Sequence, residues 1–224
     1  MARKHFWIWF GPIVLVNLVG HLIDVPLLEH LTKPTLVPAL LLYLYLNAQG
    51  EVDTPVRLVA AGLILSWLGD VILLLSDRNE LFFALGLVAF LIAHMLYIAA
   101  YIRSVRGAAG AALLRRQPGW LLPFVLLFVV LYSSLYPGLG SMRIPVFVYT
   151  ATILLMAVFA LNRKDRVPKA SFYVCLFGAL LFILSDFLLA FDKFLVPIPY
   201  AGVFVTSTYV AAQVLIVEGF TPRA

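Results

Sequence analysis

The chain has 224 residues, 63% of them hydrophobic and only 12% charged, with a mean hydropathy of +1.03 and a formal net charge of +5. A soluble domain of this length needs far more polar surface. Apolar runs long enough to cross a bilayer recur from end to end and predict an all-α, polytopic membrane helical bundle forming a single transmembrane domain over residues 1–224. The positive charge does not point to nucleic acid, because the basic residues gather in short segments between apolar runs, where they report orientation. The single cysteine, Cys175, excludes an intrachain disulfide and a multi-cysteine metal site. Its apolar surroundings favour packing over nucleophilic chemistry.

Eight spans are predicted in chain order: 6–24, 34–49, 57–76, 81–102, 118–136, 143–161, 171–191 and 199–217. Arg3 and Lys4 precede the first, no small-residue cleavage site ends it, and Asp24 follows, so it reads as a retained span rather than a signal peptide. The second span is short. With the N-terminus in the cytoplasm, twelve Lys and Arg residues fall inside, Arg3, Lys4 and Arg223 among them, and four outside, Lys33, Arg78, Arg143 and Lys193. That bias supports an even span count with both termini cytoplasmic. The compact, tail-free chain suggests the plasma (inner) membrane.

Asp70 and Asp186 each stand alone inside a long apolar segment. A carboxylate in hydrocarbon costs at least a few kcal/mol, so two of them point to a paired site. Shifting the chain by 116 residues aligns Asp70 with Asp186, Gly62 with Gly178 and Gly86 with Gly202. A four-span unit repeated once in parallel would produce this, and chance similarity in so apolar a chain is the competing explanation. Spans three and seven then run from inside to outside and carry both carboxylates at one depth, in the outer half of the membrane.

Other polar residues fall on helix faces at one-turn spacing. Ser66 lies a turn before Asp70; Phe90, His94, Tyr97 and Tyr101 form a stripe on span four; Thr206, Tyr209 and Gln213 form one on span eight; Tyr149 stands on span six, and Ser185 adjoins Asp186. Together they predict a narrow polar pocket inside the bundle, since polar groups facing lipid are far costlier than polar groups facing each other. Simpler roles compete. Ser66, Ser185 and Thr206 can bond back to their own helices. Tyr43, Tyr45, Tyr101 and Tyr200 suit interfacial belts, and Gln213 suits interhelical bonding. Asp24, Asp77 and Asp192 lie at span ends, where solvation is easy.

Several chemistries are set aside. The chain has no Gly-x-Ser-x-Gly elbow, no His-Glu-x-x-His and no phosphate-cradling glycine loop. With only two of its four histidines deep in the membrane, a three-histidine zinc site is not expected, nor is any metal or cofactor. What remains is acid–base work. A carboxylic acid deep in hydrocarbon holds its proton more readily, and two neighbouring ones can share a proton, giving an acid beside a base.

The ordered motifs Gly69-Asp70, Phe83-x-x-Gly86-x-x-x-Phe90-x-x-x-His94-x-x-Tyr97, Leu135-Tyr136-Pro137, Val148-Tyr149 with Met156, and Gly178-Ala179-Leu180 through Ser185-Asp186 together resemble the lysoplasmalogenase family of YhhN-like membrane proteins. So do Lys193-Phe194, Pro197-x-Pro199-Tyr200 and Ser207-Thr208-Tyr209-x-x-Ala212-Gln213, with Lys33-Pro34 before span two. The resemblance implies an eight-span hydrolase that cleaves the vinyl ether bond of lysoplasmalogens, releasing a fatty aldehyde and a glycerophospho-ethanolamine or -choline. Asp70 and Asp186 would then be general acid and general base in an order left open, and His94 would orient water or tune one carboxylate. Tyr97, Tyr149, Ser185, Tyr209 and Gln213 would bind the substrate or the carboxyl pair; Lys33, Arg143 and Lys193 gather on the outer side by the topology, and one or more of them would hold the lysophospholipid phosphate. Two readings of other classes compete: a proton-coupled transporter, and a lipid-binding membrane protein whose aspartates only hold helices together.

Overall fold

The computed structural model describes residues 3–48, 52–76 and 78–221, without the side chains of Arg3 and Lys4. Asp77 and Arg223, used in the sequence reading, lie outside the described residues. Nine α-helices and no strand occur among the described residues: α1 Arg3–Leu22, α2 Pro26–Asn47, α3 Thr54–Leu73, α4 Glu80–Ser104, the one-turn α5 Leu113–Arg116, α6 Leu122–Leu135, α7 Arg143–Leu161, α8 Lys169–Phe194 and α9 Ala201–Phe220. Short 3₁₀ turns lead into and out of α6. Seven of the eight long helices are apolar enough to cross a membrane, counting the 3₁₀ turns with α6 and α7. The chain is an integral, multi-pass membrane protein.

The eighth long helix, α2, corrects the short second span. It starts at Pro26 instead of 34 and runs through Pro34 and Pro38 to Asn47. Pro26 at its start costs nothing, because the first helical N–H groups have no partner anyway. Its first half is lowered in hydropathy by Glu29, His30 and Lys33, which concealed it in an apolar scan. At 22 residues it is about 33 Å long, enough to cross the hydrocarbon. Pro38 cannot donate an N–H to the carbonyl of Pro34. The indole of Trp67 on α3 does so instead, at 2.9 Å, so a defect in one helix becomes a bond to the next.

Packing follows the proposed repeat. The most extensive helix pairs are α3 with α4 and α8 with α9. Exchanging α1–α4 for α6–α9 also maps α1·α2 onto α6·α7, α2·α3 onto α7·α8, and α4·α7 onto α2·α9. The match is incomplete, since α1 rests on α9 whereas α6 leans on α7 and α8. Tyr97 donates to Gln213 Oε1 at 2.8 Å, and these two residues are themselves 116 apart. In the repeat reading these two are mates, and their bond marks where the two halves would meet.

Glycines set the close approach within the first pair. Gly62 faces the Tyr97 ring and Gly69 faces the Phe90 ring of α4. Small residues at such interfaces let helices approach in lipid, where no hydrophobic force drives association. A Cβ on Gly69 would meet the buried Phe90 ring at 2.7 Å. Gly69→Ala should therefore destabilise the bundle by about 1–3 kcal/mol, seen as a lower midpoint in SDS-titration unfolding; an unchanged midpoint refutes the close packing of α3 on α4.

Candidate active site

The centre of the bundle holds two carboxylates in two different settings. Asp70, on the last turn of α3, is sealed at 3% exposure. Its Oδ2 accepts a 2.7 Å hydrogen bond from Tyr209 on α9. Behind it the bonds run in one direction: Gln213 Nε2 donates to the Tyr209 oxygen at 3.2 Å, and Tyr97 donates to Gln213 Oε1. Ser66 Oγ completes the series 3.5 Å from the Tyr97 hydroxyl. The Tyr97, Gln213 and Tyr209 donors all point toward Asp70, which is the terminal acceptor of the series. Bonds aligned in this way polarise one another in a low-dielectric interior.

Asp186, on α8, keeps 15% of its side chain exposed. The Tyr149 hydroxyl, from α7, donates to its Oδ2. His94 Nε2 lies 3.9 Å from the same oxygen, too far for a direct hydrogen bond and a suitable gap for a bridging water. His94 is wholly buried, and neither ring nitrogen makes a hydrogen bond among the described residues. Orphaned polar groups of this kind are rare and costly. Phe182 stands among the surrounding groups, edge-on to His94 at 4.7 Å and to Tyr209 at 5.4 Å between ring centroids.

Asp186 and Tyr149 form part of the wall of an apolar slot between α4, α6, α7 and α8. Leu87, Leu135, Val146, Ile153, Ile183 and Phe187 line much of the rest. Its free volume is about 40 Å³, room for a few water molecules. Lys33 and Lys193 line a separate, polar cavity near the ends of the helices. Arg143 is in neither; its guanidinium lies over the Tyr136 ring at 4.3 Å.

The arrangement thus brings Asp186, Tyr149 and His94 together, and Asp70 with Tyr209, Gln213 and Tyr97. Ser185 lies between α8 and α9, donating to the carbonyl of Val205 at 2.9 Å. Thr206 meets His21 Nε2 at 3.2 Å. So Ser66, Ser185 and Thr206 reach across helices rather than back along their own, and serve as interhelical bonds. Two of the four tyrosines assigned to interfacial belts are interior: Tyr43 donates to Glu218, and Tyr101 packs beside Arg163. Tyr45 and Tyr200 are exposed, as belt residues are. Phe182, His21 and Glu29 were missed as contributors. The spacing of Glu29 four residues before Lys33 was the available signal for one of them; nothing in the sequence singled out Phe182. Among the described residues no group of His, Cys, Asp or Glu is arranged to hold a metal ion.

Comparison with known proteins agrees with this architecture. The model of the YhhN family matches residues 28–220. Lysoplasmalogenase TMEM86A of Bos taurus is 35% identical over 188 residues, covering 80% of this chain and 73% of the relative. Lysoplasmalogenase TMEM86B of Mus musculus is 30% identical over 213 residues, covering 93% and 84%. No solved structure matches. From Leu28 in α2 to Phe220 at the end of α9, the helices that carry both aspartates and their partners fall inside the matched region, and the chain belongs to the YhhN family.

Proposed function

We propose that this chain is a membrane-embedded hydrolase that cleaves the vinyl ether bond of lysoplasmalogens by acid–base catalysis. The observation that carries the reading is Asp186: a carboxyl group on the wall of an apolar slot, with one oxygen held by Tyr149 and a buried, unpartnered histidine beside it. The relatives named as lysoplasmalogenases supply the bond to be broken.

In this mechanism the alkenyl chain lies in the slot with its enol ether carbons against Asp186. Tyr149 occupies Oδ2, which leaves Oδ1 to carry the proton. The protonated carboxyl gives that proton to the second alkenyl carbon, and the first becomes an oxocarbenium ion. Asp70, terminal acceptor of the Tyr97–Gln213–Tyr209 series, contributes a fixed negative charge that stabilises this cation. A water held between His94 and Asp186 adds to the oxocarbenium carbon, and its proton returns to the Asp186 carboxylate. The resulting hemiacetal collapses to a fatty aldehyde and the free hydroxyl of the glycerophospho-alcohol. Acid and base are then one residue used twice, with Asp70 as electrostatic partner. In this reading both termini are cytoplasmic and the aspartates lie in the outer half of the plasma (inner) membrane; the positive-inside count supports that orientation.

Purified protein given 1-alkenyl lysophospholipid should release aldehyde. Asp186→Asn should lower kcat by at least a thousandfold, because the proton donor is gone. Asp70→Asn should cost about a hundredfold with KM little changed, as expected for lost transition-state electrostatics. Normal turnover in both variants, with each still folded, would sink the mechanism. Proton-driven lipid uptake into liposomes without aldehyde release would favour the transporter.

Proton transfer to carbon makes a second prediction. The rate should fall roughly two- to fourfold in heavy water, as expected when general acid catalysis moves a proton in the transition state, and aldehyde formed in ¹⁸O-water should carry the label. His94→Ala should lower kcat more than it raises KM. An unlabelled aldehyde, analysed before oxygen exchange, would exclude addition of water to the oxocarbenium carbon.

A further inference from the structure

The apolar slot has a counterpart in the other half of the molecule. Exchanging the repeats turns its walls, α4, α6, α7 and α8, into α9, α1, α2 and α3. A second cavity, of about 270 Å³, is lined partly by these helices, through His21, Lys33, Leu73 and Thr206, and partly by Phe83 of α4 and Leu189, Asp192 and Lys193 of α8. The two cavities share Phe83 and Leu189 in their walls. Lys33 holds the position in the first half that Tyr149 holds in the second, 116 residues on. Tyr149 bonds Asp186, whereas Lys33 pairs with Glu29 of its own helix. One repeat-related pair of cavities has therefore diverged into an apolar member and a charged one.

The charged groups in the second cavity are unequally committed. Its lining carries two lysines, Lys33 and Lys193, and two carboxylates, Glu29 and Asp192. Glu29 pairs with Lys33 and with His21, each at 3.4 Å. Asp192 accepts the Ile198 N–H at 2.7 Å and so holds the loop before α9. Lys193 lies over the ring of Phe83, 5.6 Å from its centroid, and has no carboxylate partner among the described residues. A cation without a counter-ion, resting on the residue that both cavities share, is placed to meet an anion next to the slot.

We propose that this cavity binds the phosphate of the lysolipid head group, with Lys193 as the principal cation and Lys33 as the second. The assignment rests on the hydrolase reading and extends it. The chain occupies the apolar cavity, the glycerophosphoryl group its polar counterpart, and the enol ether lies between them beside Phe83 and Leu189. The balanced lining suits a zwitterionic head group, since Glu29 stands beside Lys33 to meet an ammonium.

The test compares two substrates with the same alkenyl chain, 1-alkenyl-glycerophosphoethanolamine and 1-alkenyl-glycerol, using the full-length protein in nanodiscs. Lys193→Gln should raise KM for the phosphate-bearing substrate roughly tenfold, the equivalent of one modest charge-assisted contact, with kcat nearly unchanged. Its KM for alkenyl-glycerol should not move, and Lys193→Arg should restore most of the loss. Lys33→Gln should act in the same direction. Glycerophosphoethanolamine should inhibit competitively, and inorganic phosphate more weakly, which separates a head-group site from a simple phosphate site; stronger inhibition by phosphate would overturn the head-group assignment. Equal KM shifts for both substrates, or none, would overturn the proposal while leaving the hydrolase reading intact. If the wild type cleaves neither substrate, the hydrolase reading fails. Calorimetric binding of glycerophosphoethanolamine still decides the cavity: heat lost in Lys193→Gln supports it, and no binding by the wild type refutes it.

Discussion

Hydrocarbon offers no hydrogen bonds, so a polar group within this bundle must find its partner inside the protein, along its own helix or on a neighbouring one. The helices that hold the aspartates are tied to one another by that requirement. Trp67 on α3 completes the carbonyl that Pro38 leaves open on α2. Ser185 on α8 holds a carbonyl of α9, and Tyr97 on α4 reaches Gln213 on α9. Sliding any of these helices by one turn would strand donors and acceptors together. The register of the bundle, and with it the setting of Asp70, follows from satisfying them all at once.

Asn17, Tyr101 and Arg166 each leave one buried polar atom outside that rule among the described residues, and His94 leaves two. Its two nitrogens are the kind of debt a membrane protein clears by rotating a side chain or recruiting a neighbour, and neither has happened. The aromatic rings of Tyr149 and Phe182 fix the imidazole edge-on instead. Two carboxylates that look equivalent in the sequence thereby become inequivalent. One ends a series of donors and is closed off; the other faces a cavity, with a single tyrosine and an unsatisfied histidine. Pairs of ionisable groups with divergent surroundings are how one site comes to hold both an acid and a fixed charge.

Much of this was legible beforehand because the bilayer simplifies the code. Solitary aspartates in apolar runs announce themselves, and the helical stripe Phe90–His94–Tyr97 on span four is an arithmetic consequence of 3.6 residues per turn. The limits were equally physical. Helix α2 was cut short because Glu29, His30 and Lys33 lower its hydropathy, although these side chains line a cavity rather than lipid. Tyr43 and Tyr101 matched the composition of interfacial belts, and only packing against Phe6 and Arg163 reveals them as interior. Phe182 gave no signal, since one phenylalanine in an apolar helix looks like any other until its neighbours are known. Which aspartate is sealed depends on α9 closing over Asp70, a contact spanning 139 residues that no local pattern encodes.

The peripheral position of α6 has its own consequence. Only 11% of its apolar stretch is buried, less than for any other candidate span among the described residues, yet it supplies Leu131 and Leu135 to one side of the slot. The other three sides are helices locked by packing and hydrogen bonds. A passage too narrow for an alkyl chain at rest therefore has one side resting mainly on lipid contact, which a lipid can replace. The bilayer itself becomes the fourth wall. Under the proposed hydrolysis, a chain would enter sideways from the acyl region and a released aldehyde would return there, without crossing water or disturbing the hydrogen-bonded centre.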